Sequence, residues 1–92
     1  MKYRVRVVIY GRVQGVGFRA WTVATAQRHS VDGWVRNRID GTVEAVFVGT
    51  RNTVEAMVAA CREGPVAAEV AHIMVEETQE SVSQGFISKP TV

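Results

Sequence analysis

The 92-residue sequence predicts an α+β fold, with one antiparallel sheet covered on a single face by two helices in the order β-α-β-β-α-β. Three observations carry that expectation. Tyr3, Val5, Val7 and Ile9 alternate with Lys2, Arg4, Arg6 and Val8, the period of a strand with one buried face. Asp40-Gly41 joins two runs rich in β-branched residues, a strong hairpin signal. Val54, Met57, Val58 and Cys61 recur at i, i+3, i+4 and i+7, the apolar stripe of a helix laid on a sheet.

Taken in order, the first strand ends at Gly11. Residues 11–17 hold three glycines in seven positions, which no regular element favours. A helix is predicted over residues 18–29, with Phe18, Thr22, Ala26 and His29 on one stripe. Residues 31–38 read as a second strand, and residues 42–48 follow the hairpin as a third. Asn52-x-x-Glu55 resembles a capping box with Asn in the Ser/Thr position. It opens a second helix that Gly64-Pro65 stops. Residues 68–76 form a fourth strand and residues 85–88 a short edge strand. With right-handed crossovers this is the ferredoxin-like sandwich. Fold alone does not fix function.

Composition bounds what such a chain can be. At 47% hydrophobic and 22% charged residues, it supports one modest core, burying about 64% of its unfolded surface. A single domain over residues 1–92 is expected; a two-domain enzyme and a full dinucleotide-binding fold are excluded. The longest runs free of Asp, Glu, Lys and Arg, residues 20–27 and 81–88, fall far short of the ~20 apolar residues that span a bilayer. Net charge is +2, but residues 1–39 carry eight cations and one anion, and the remainder three cations and eight anions. A basic first half favours an anionic partner near it; two oppositely charged solvated faces would look the same. Cys61 is the single cysteine, so neither an internal disulfide nor a multi-cysteine zinc site can form. The charged N-terminus is unlike a signal peptide, and a cytoplasmic location is expected.

A strand that runs through a glycine-rich loop into a helix N-terminus is a ready anion site. Glycines let main-chain N–H groups converge, and the helix dipole adds positive charge there. Arg19, in the first turn, adds a planar and permanently charged fork. Glycine spacing alone fits a tight loop with a solvent-facing arginine equally well. Residues 15–20 match G-x-G-x-x-[GA], yet the acidic partner a dinucleotide site needs would be Asp40, which the hairpin claims. A nucleotide P-loop needs Lys-Ser or Lys-Thr after its last glycine, where this chain has Phe18-Arg19. A pocket for a lone phosphoryl group remains. Asn37 shares the parity of Val35 and is expected to face the helices, although a turn-initiating Asn is the plainer reading of that residue alone.

Two blocks, Gly11-Arg12-Val13-Gln14-Gly15-Val16-Gly17-Phe18-Arg19 and Gly33-Trp34-Val35-Arg36-Asn37-Arg38-Ile39-Asp40-Gly41-Thr42-Val43-Glu44, resemble the acylphosphatase family. The resemblance continues through Gly64-Pro65, Ala68 and Phe86-x-Ser88, covering essentially the whole chain. It implies hydrolysis of acyl phosphates to a carboxylate and inorganic phosphate, with no metal, no cofactor and no covalent intermediate. It implies a phosphate-binding role for Arg19, a water-orienting role for Asn37 and a main-chain cradle at Gly15, Val16 and Gly17. A monomer is expected, acting on a small-molecule acyl phosphate, with no nucleic-acid or membrane partner. One departure stands out: the first helix ends in His29-Ser30, where the family usually has an apolar residue and then glycine. Loss of that glycine stop bears on helix packing and not on the chemistry.

The chemistry suits these residues. The leaving carboxylate has a solution pKa near ~4 and departs unprotonated, so no general acid is needed. If the transition state is loose, water needs placement more than deprotonation. Catalysis then reduces to positioning and charge stabilisation, and phosphate monoesters should be poor substrates. Other candidates read as structural: His29 and His72 lack a ligand cluster, Cys61 lies on the apolar stripe, and Trp21 and Trp34 pack, with Trp34 also a candidate border of the substrate entrance. An RNA-binding module would need aromatic rings on the exposed sheet face, where only Tyr10 among Val8, Tyr10, Val46 and Val48 can stack. A non-catalytic anion-binding module is the other alternative. Similar domains front larger proteins that handle carbamoyl phosphate in hydrogenase maturation, and the end of this chain at Val92 favours the stand-alone enzyme.

Overall fold

The alternation at the N-terminus is realised in β1 (Tyr3–Arg12), whose Val5, Val7 and Ile9 are sealed beneath the helices. The structure, a computed structural model, describes residues 2–92. After β1 come α1 (Phe18–Arg28), β2 (Asp32–Asn37), β3 (Val43–Gly49), α2 (Arg51–Glu63), β4 (Glu69–Glu77) and β5 (Phe86–Ser88). The sheet order is β4-β1-β3-β2-β5. β1 lies antiparallel between β3 and β4, and β2 pairs antiparallel with β3. Val35, Val43, Ala45 and Phe47 join the β1 valines on the inner face, where Phe18, Ala26, Val54, Met57 and Cys61 of the helices close the core. The molecule exposes 5184 Å², against roughly 5,300 Å² expected for a folded chain of this mass.

One sheet connection differs from the expectation. β5 runs parallel to β2, with Gly33 opposite Phe86 and Val35 opposite Ser88, so the sheet is mixed. Residues 78–85 carry the chain from β4 at one edge of the sheet to β5 at the other, across the face away from the helices. Thr78 N–H donates to Arg4 O at 3.1 Å, and Arg4 Nη1 donates to Glu80 O at 3.2 Å. Val82 packs on Trp34, Val46 and Val48, a second small core.

Trp34 packs as expected, but on the face opposite the helices, which takes it away from the substrate entrance it was a candidate to border. Its indole Nε1 donates to Glu80 Oε2 at 2.7 Å, and Arg36 and Lys89 each approach its ring at 4.6 Å. Val8, Val46 and Val48, pictured as lying on an exposed sheet face, are buried. Tyr10 instead meets His72, ring centroids 5.5 Å apart.

Helix ends follow local rules, with one surprise each. α1 stops at Arg28, with His29 at the cap and Ser30 in the left-handed region at φ 57°. Ser30 N–H donates to Gln27 O at 3.2 Å and Val31 N–H to Ala26 O at 2.9 Å, the paired bonds of a Schellman stop. The stop survives without glycine, at a steric cost to Ser30. α2 is capped by Thr50, whose Oγ1 accepts from Thr53 N–H at 3.1 Å. Asn52, expected to cap, instead sits inside the first turn, and Glu55 pairs with Arg51 at 3.0 Å. At the far end Gly64, φ 68°, takes the cap position as expected. Cys61 is wholly buried on the stripe and burial pushes its thiol up to about 12.

Candidate active site

The site forms where β1 hands over to α1. Val13 is buried and anchors the start of the loop. Gly15 and Gly17 then adopt φ 75° and 79°, left-handed values that side chains resist. A Cβ at either would meet nothing within 4 Å, so conformation and not crowding calls for glycine. Both glycines open on the same space. Gly17 is the N-cap of α1 and brings no side chain to accept from the helix, and no described residue in the first turn is acidic. Helical bonding begins with Trp21 N–H to Gly17 O at 3.0 Å. The amides of Phe18, Arg19 and Ala20 precede that bond and lack intrahelical acceptors, as at any helix start. Phe18 pins the turn by burying its ring against Trp21, edge-on at 5.4 Å.

Asn37 closes β2 on the same face as the buried Val35. It lines a cavity of about 430 Å³ together with Val13, Gly15, Gly17, Phe18, Arg19, Ala20 and Ser88. Arg19, Asn37, Gly15 and Gly17 are thus brought to one place. Val16 is not on that wall: its half-buried side chain packs against the core, which leaves only its main chain for the role implied by the resemblance. Ser88 is a lining residue that sequence reasoning left out of the site. It reaches the cavity because β5 pairs with β2, Val35 opposite Ser88, and the expected edge strand over residues 85–88 carried no signal for its partner.

Arg19 is the one charged side chain among the described lining residues. Nearby charge is occupied elsewhere. Asp40 accepts from Thr42 Oγ1 at 2.6 Å and Thr42 N–H at 3.0 Å; these bonds hold its carboxyl below the usual carboxylate range and shape the hairpin, as expected. On the far face of the sheet, Glu44 accepts from Arg6 Nε at 2.6 Å and Arg36 Nε at 2.8 Å. Among the described residues, no group of three His, Cys, Asp or Glu side chains is arranged to hold a metal ion, and no helix is long and apolar enough to cross a membrane.

Fold and site together define a class: a ferredoxin-like sandwich with a glycine loop at the start of its first helix, its cavity lined by one arginine and one asparagine. Comparison with known proteins sharpens this. The acylphosphatase family model matches residues 5–87. An acylphosphatase of Rhizorhabdus wittichii is 55% identical over 87 residues, 95% of this chain and 88% of that protein. The solved structure of an acylphosphatase from Coxiella burnetii superposes with a TM-score of 0.91 at 31% identity, covering 96% of this chain and 93% of that one. Acylphosphatase from Bacillus subtilis gives 0.86 at 35% identity, with 96% and 97% covered. The chain belongs to the acylphosphatase family, and it is an enzyme that hydrolyses acyl phosphates to a carboxylate and inorganic phosphate.

Proposed function

We propose that this hydrolysis takes place in the cavity between α1 and the end of β2, by in-line attack of water without a metal ion. Arg19 and the main-chain amides of residues 15–17 and of the helix start hold the three non-bridging phosphoryl oxygens. Asn37 holds a water opposite the acyl oxygen. As the bond from phosphorus to the acyl oxygen breaks, the electron pair leaves with the carboxylate and the water oxygen bonds to phosphorus. The water's protons end on phosphate or solvent. No side chain needs to protonate a leaving group whose conjugate acid has a pKa near ~4. Most of the rate advantage comes from orientation and from donors already aimed at the phosphoryl oxygens. The observation that carries this reading is that Arg19 and Asn37 line one cavity with the uncapped start of α1.

The proposal extends to a monomer acting in the cytoplasm on a small-molecule substrate, without a nucleic-acid or membrane partner. Support comes from the sheet face away from the helices: the return segment and the Arg6–Glu44–Arg36 network cover the surface on which an RNA-binding sheet would stack bases. The test is release of inorganic phosphate from acetyl phosphate and benzoyl phosphate, with and without a chelator. The expected result is chelator-insensitive turnover that Arg19→Ala and Asn37→Ala each abolish or cripple, with phosphate affinity largely kept in the Asn37 variant. Strict dependence on added metal overturns the mechanism. Loss of phosphate affinity in step with turnover in Asn37→Ala overturns the role given to that residue.

A further inference from the structure

We propose that Gln14 is a positioning residue for the reaction, one that sets where the Asn37 carboxamide stands relative to the glycine loop. Gln14 lies in that loop, between the buried Val13 and Gly15. Its Nε2 donates to two main-chain carbonyls at the neck of the β2–β3 hairpin, Arg38 O at 2.7 Å and Thr42 O at 2.8 Å. Those carbonyls also close the neck itself: Arg38 N–H donates to Thr42 O at 2.9 Å and Gly41 N–H to Arg38 O at 3.1 Å. Arg38 directly follows Asn37. A single carboxamide therefore ties the loop that precedes Arg19 to the residue beside Asn37, each flanked by residues that line the cavity.

The chemistry of the contact is specific. Both bonds use the two hydrogens of one nitrogen, which a carboxamide on a three-carbon reach supplies without bringing a charge. Glutamate at neutral pH has none, and methionine fills similar space with no donor at all. The cavity holds a small phosphoryl group between two chain segments that share no backbone pairing at this point, so their separation depends on side-chain ties. Displacement of a reacting group by about 1 Å can cost on the order of 10² in rate.

This inference rests on the roles given above to Arg19 and Asn37, and its test separates the two. The measurement is a double-mutant cycle on kcat for benzoyl phosphate, with the inhibition constant of inorganic phosphate read in parallel. Gln14→Met is expected to lower kcat by roughly 10–100-fold while phosphate inhibition changes by less than about threefold. In the Asn37→Ala background the same substitution is expected to cost less than about twofold, because the group it positions is gone. A full and multiplicative loss in that background overturns the Gln14 proposal and leaves the site reading standing. If Asn37→Ala by itself leaves kcat unchanged, the site reading falls and this proposal with it. Should Gln14→Met fail to fold, Gln14→Glu gives a second test. Its carboxylate cannot donate at neutral pH, whereas its protonated form, populated towards pH 4, has one O–H and restores one of the two bonds. Activity relative to wild type is expected to recover several-fold on acidification, and a flat ratio overturns the proposal.

Discussion

Arg19 and Asn37 meet one cavity from different layers of the sandwich, the first from the opening turn of α1 and the second from the last residue of β2. Each is placed by its neighbours more than by itself. Phe18, buried beside Arg19, fixes the pitch of the helix start, and Val35, buried two residues before Asn37, fixes which face of the sheet Asn37 presents. The result is a cavity lined by one guanidinium-bearing residue, one carboxamide-bearing residue and the glycines of the loop.

That arrangement makes Arg19 the more sensitive of the two to a change in shape. Arg19→Ala is expected to lower kcat/KM for acetyl phosphate by at least about 10²–10³-fold, the loss seen when one preorganised donor is removed. Arg19→Lys keeps the charge but not the planar fork, and should recover only part of that loss. Steady-state kinetics of the three proteins checks this. Full activity in the lysine variant would reduce the guanidinium to a point charge.

The absence of a proton donor in the proposed chemistry limits the substrate range. A monoester with an alkyl leaving group needs its oxygen protonated or its charge neutralised as it departs, and the wall supplies neither an acid nor a second cation facing it. Glycerol phosphate turnover is expected to lie orders of magnitude below acetyl phosphate turnover at equal concentration. Comparable rates would require a general acid among residues given structural roles here.

The stop of α1 offers a stability test far from the chemistry. Ser30 is, among the described residues, the one non-glycine with positive φ, at 57°. Ser30→Gly removes a left-handed strain of about 1 kcal/mol but adds freedom to the unfolded chain. The net expectation is about 0.5 kcal/mol of stabilisation, near 2–4 °C in Tm for a domain of this size. Thermal unfolding followed by circular dichroism decides it, and a lower Tm would mean that the serine side chain contributes something the glycine cannot.

How far this architecture is legible in the sequence depends on how long each signal lasts. β1 and α2 announce themselves because several repeats of a period accumulate, and the Val54, Met57, Val58 and Cys61 stripe is buried as the spacing requires. Arg19 and Asn37 were legible because a loop and a strand parity place them. Thr50 was not: Asn is the better N-cap of the two by preference, and which one meets the third amide depends on where the packed helix begins. What Trp34 packs against was hidden for the same reason. Its face is covered by residues 78–85, a segment without period whose path is set by the Glu80 and Val82 contacts. Gln14 lay hidden for another reason, since its partners are main-chain carbonyls that no side-chain pattern reveals.

The α2 cap converts that correction into a measurement. Thr50→Ala removes the acceptor of Thr53 N–H and is expected to cost about 1 kcal/mol, whereas Asn52→Ala, within the first turn, should be nearly neutral. Chemical denaturation of both variants compares them directly. A larger loss for Asn52→Ala would restore the cap to the position expected from its sequence.

The Arg6–Glu44–Arg36 network sets a pH dependence of stability whose sign can be worked out. Glu44 is 5% exposed. Burial opposes its ionisation, but the hydrogen bonds and charges of Arg36 and Arg6 outweigh that, and its carboxyl lies below the ordinary glutamate value of 4.5. A folded pKa below the unfolded one means that the ionised group stabilises the fold. The contribution is complete above pH 4.5 and is lost as pH falls through the folded value. Glu44→Gln leaves Arg36 without a carboxylate partner and Arg6 with only the exposed Glu76, at 2.9 Å, a change expected to cost about 2 kcal/mol at pH 7 because charge-assisted hydrogen bonds of half-buried groups are lost. The gap between wild type and variant should close as pH drops below 4.5, since the wild-type carboxyl is then protonated too. Urea unfolding from pH 7 to pH 3 reads this directly. A gap that stays constant across that range would show that the carboxylate's charge contributes nothing and that shape alone accounts for the loss.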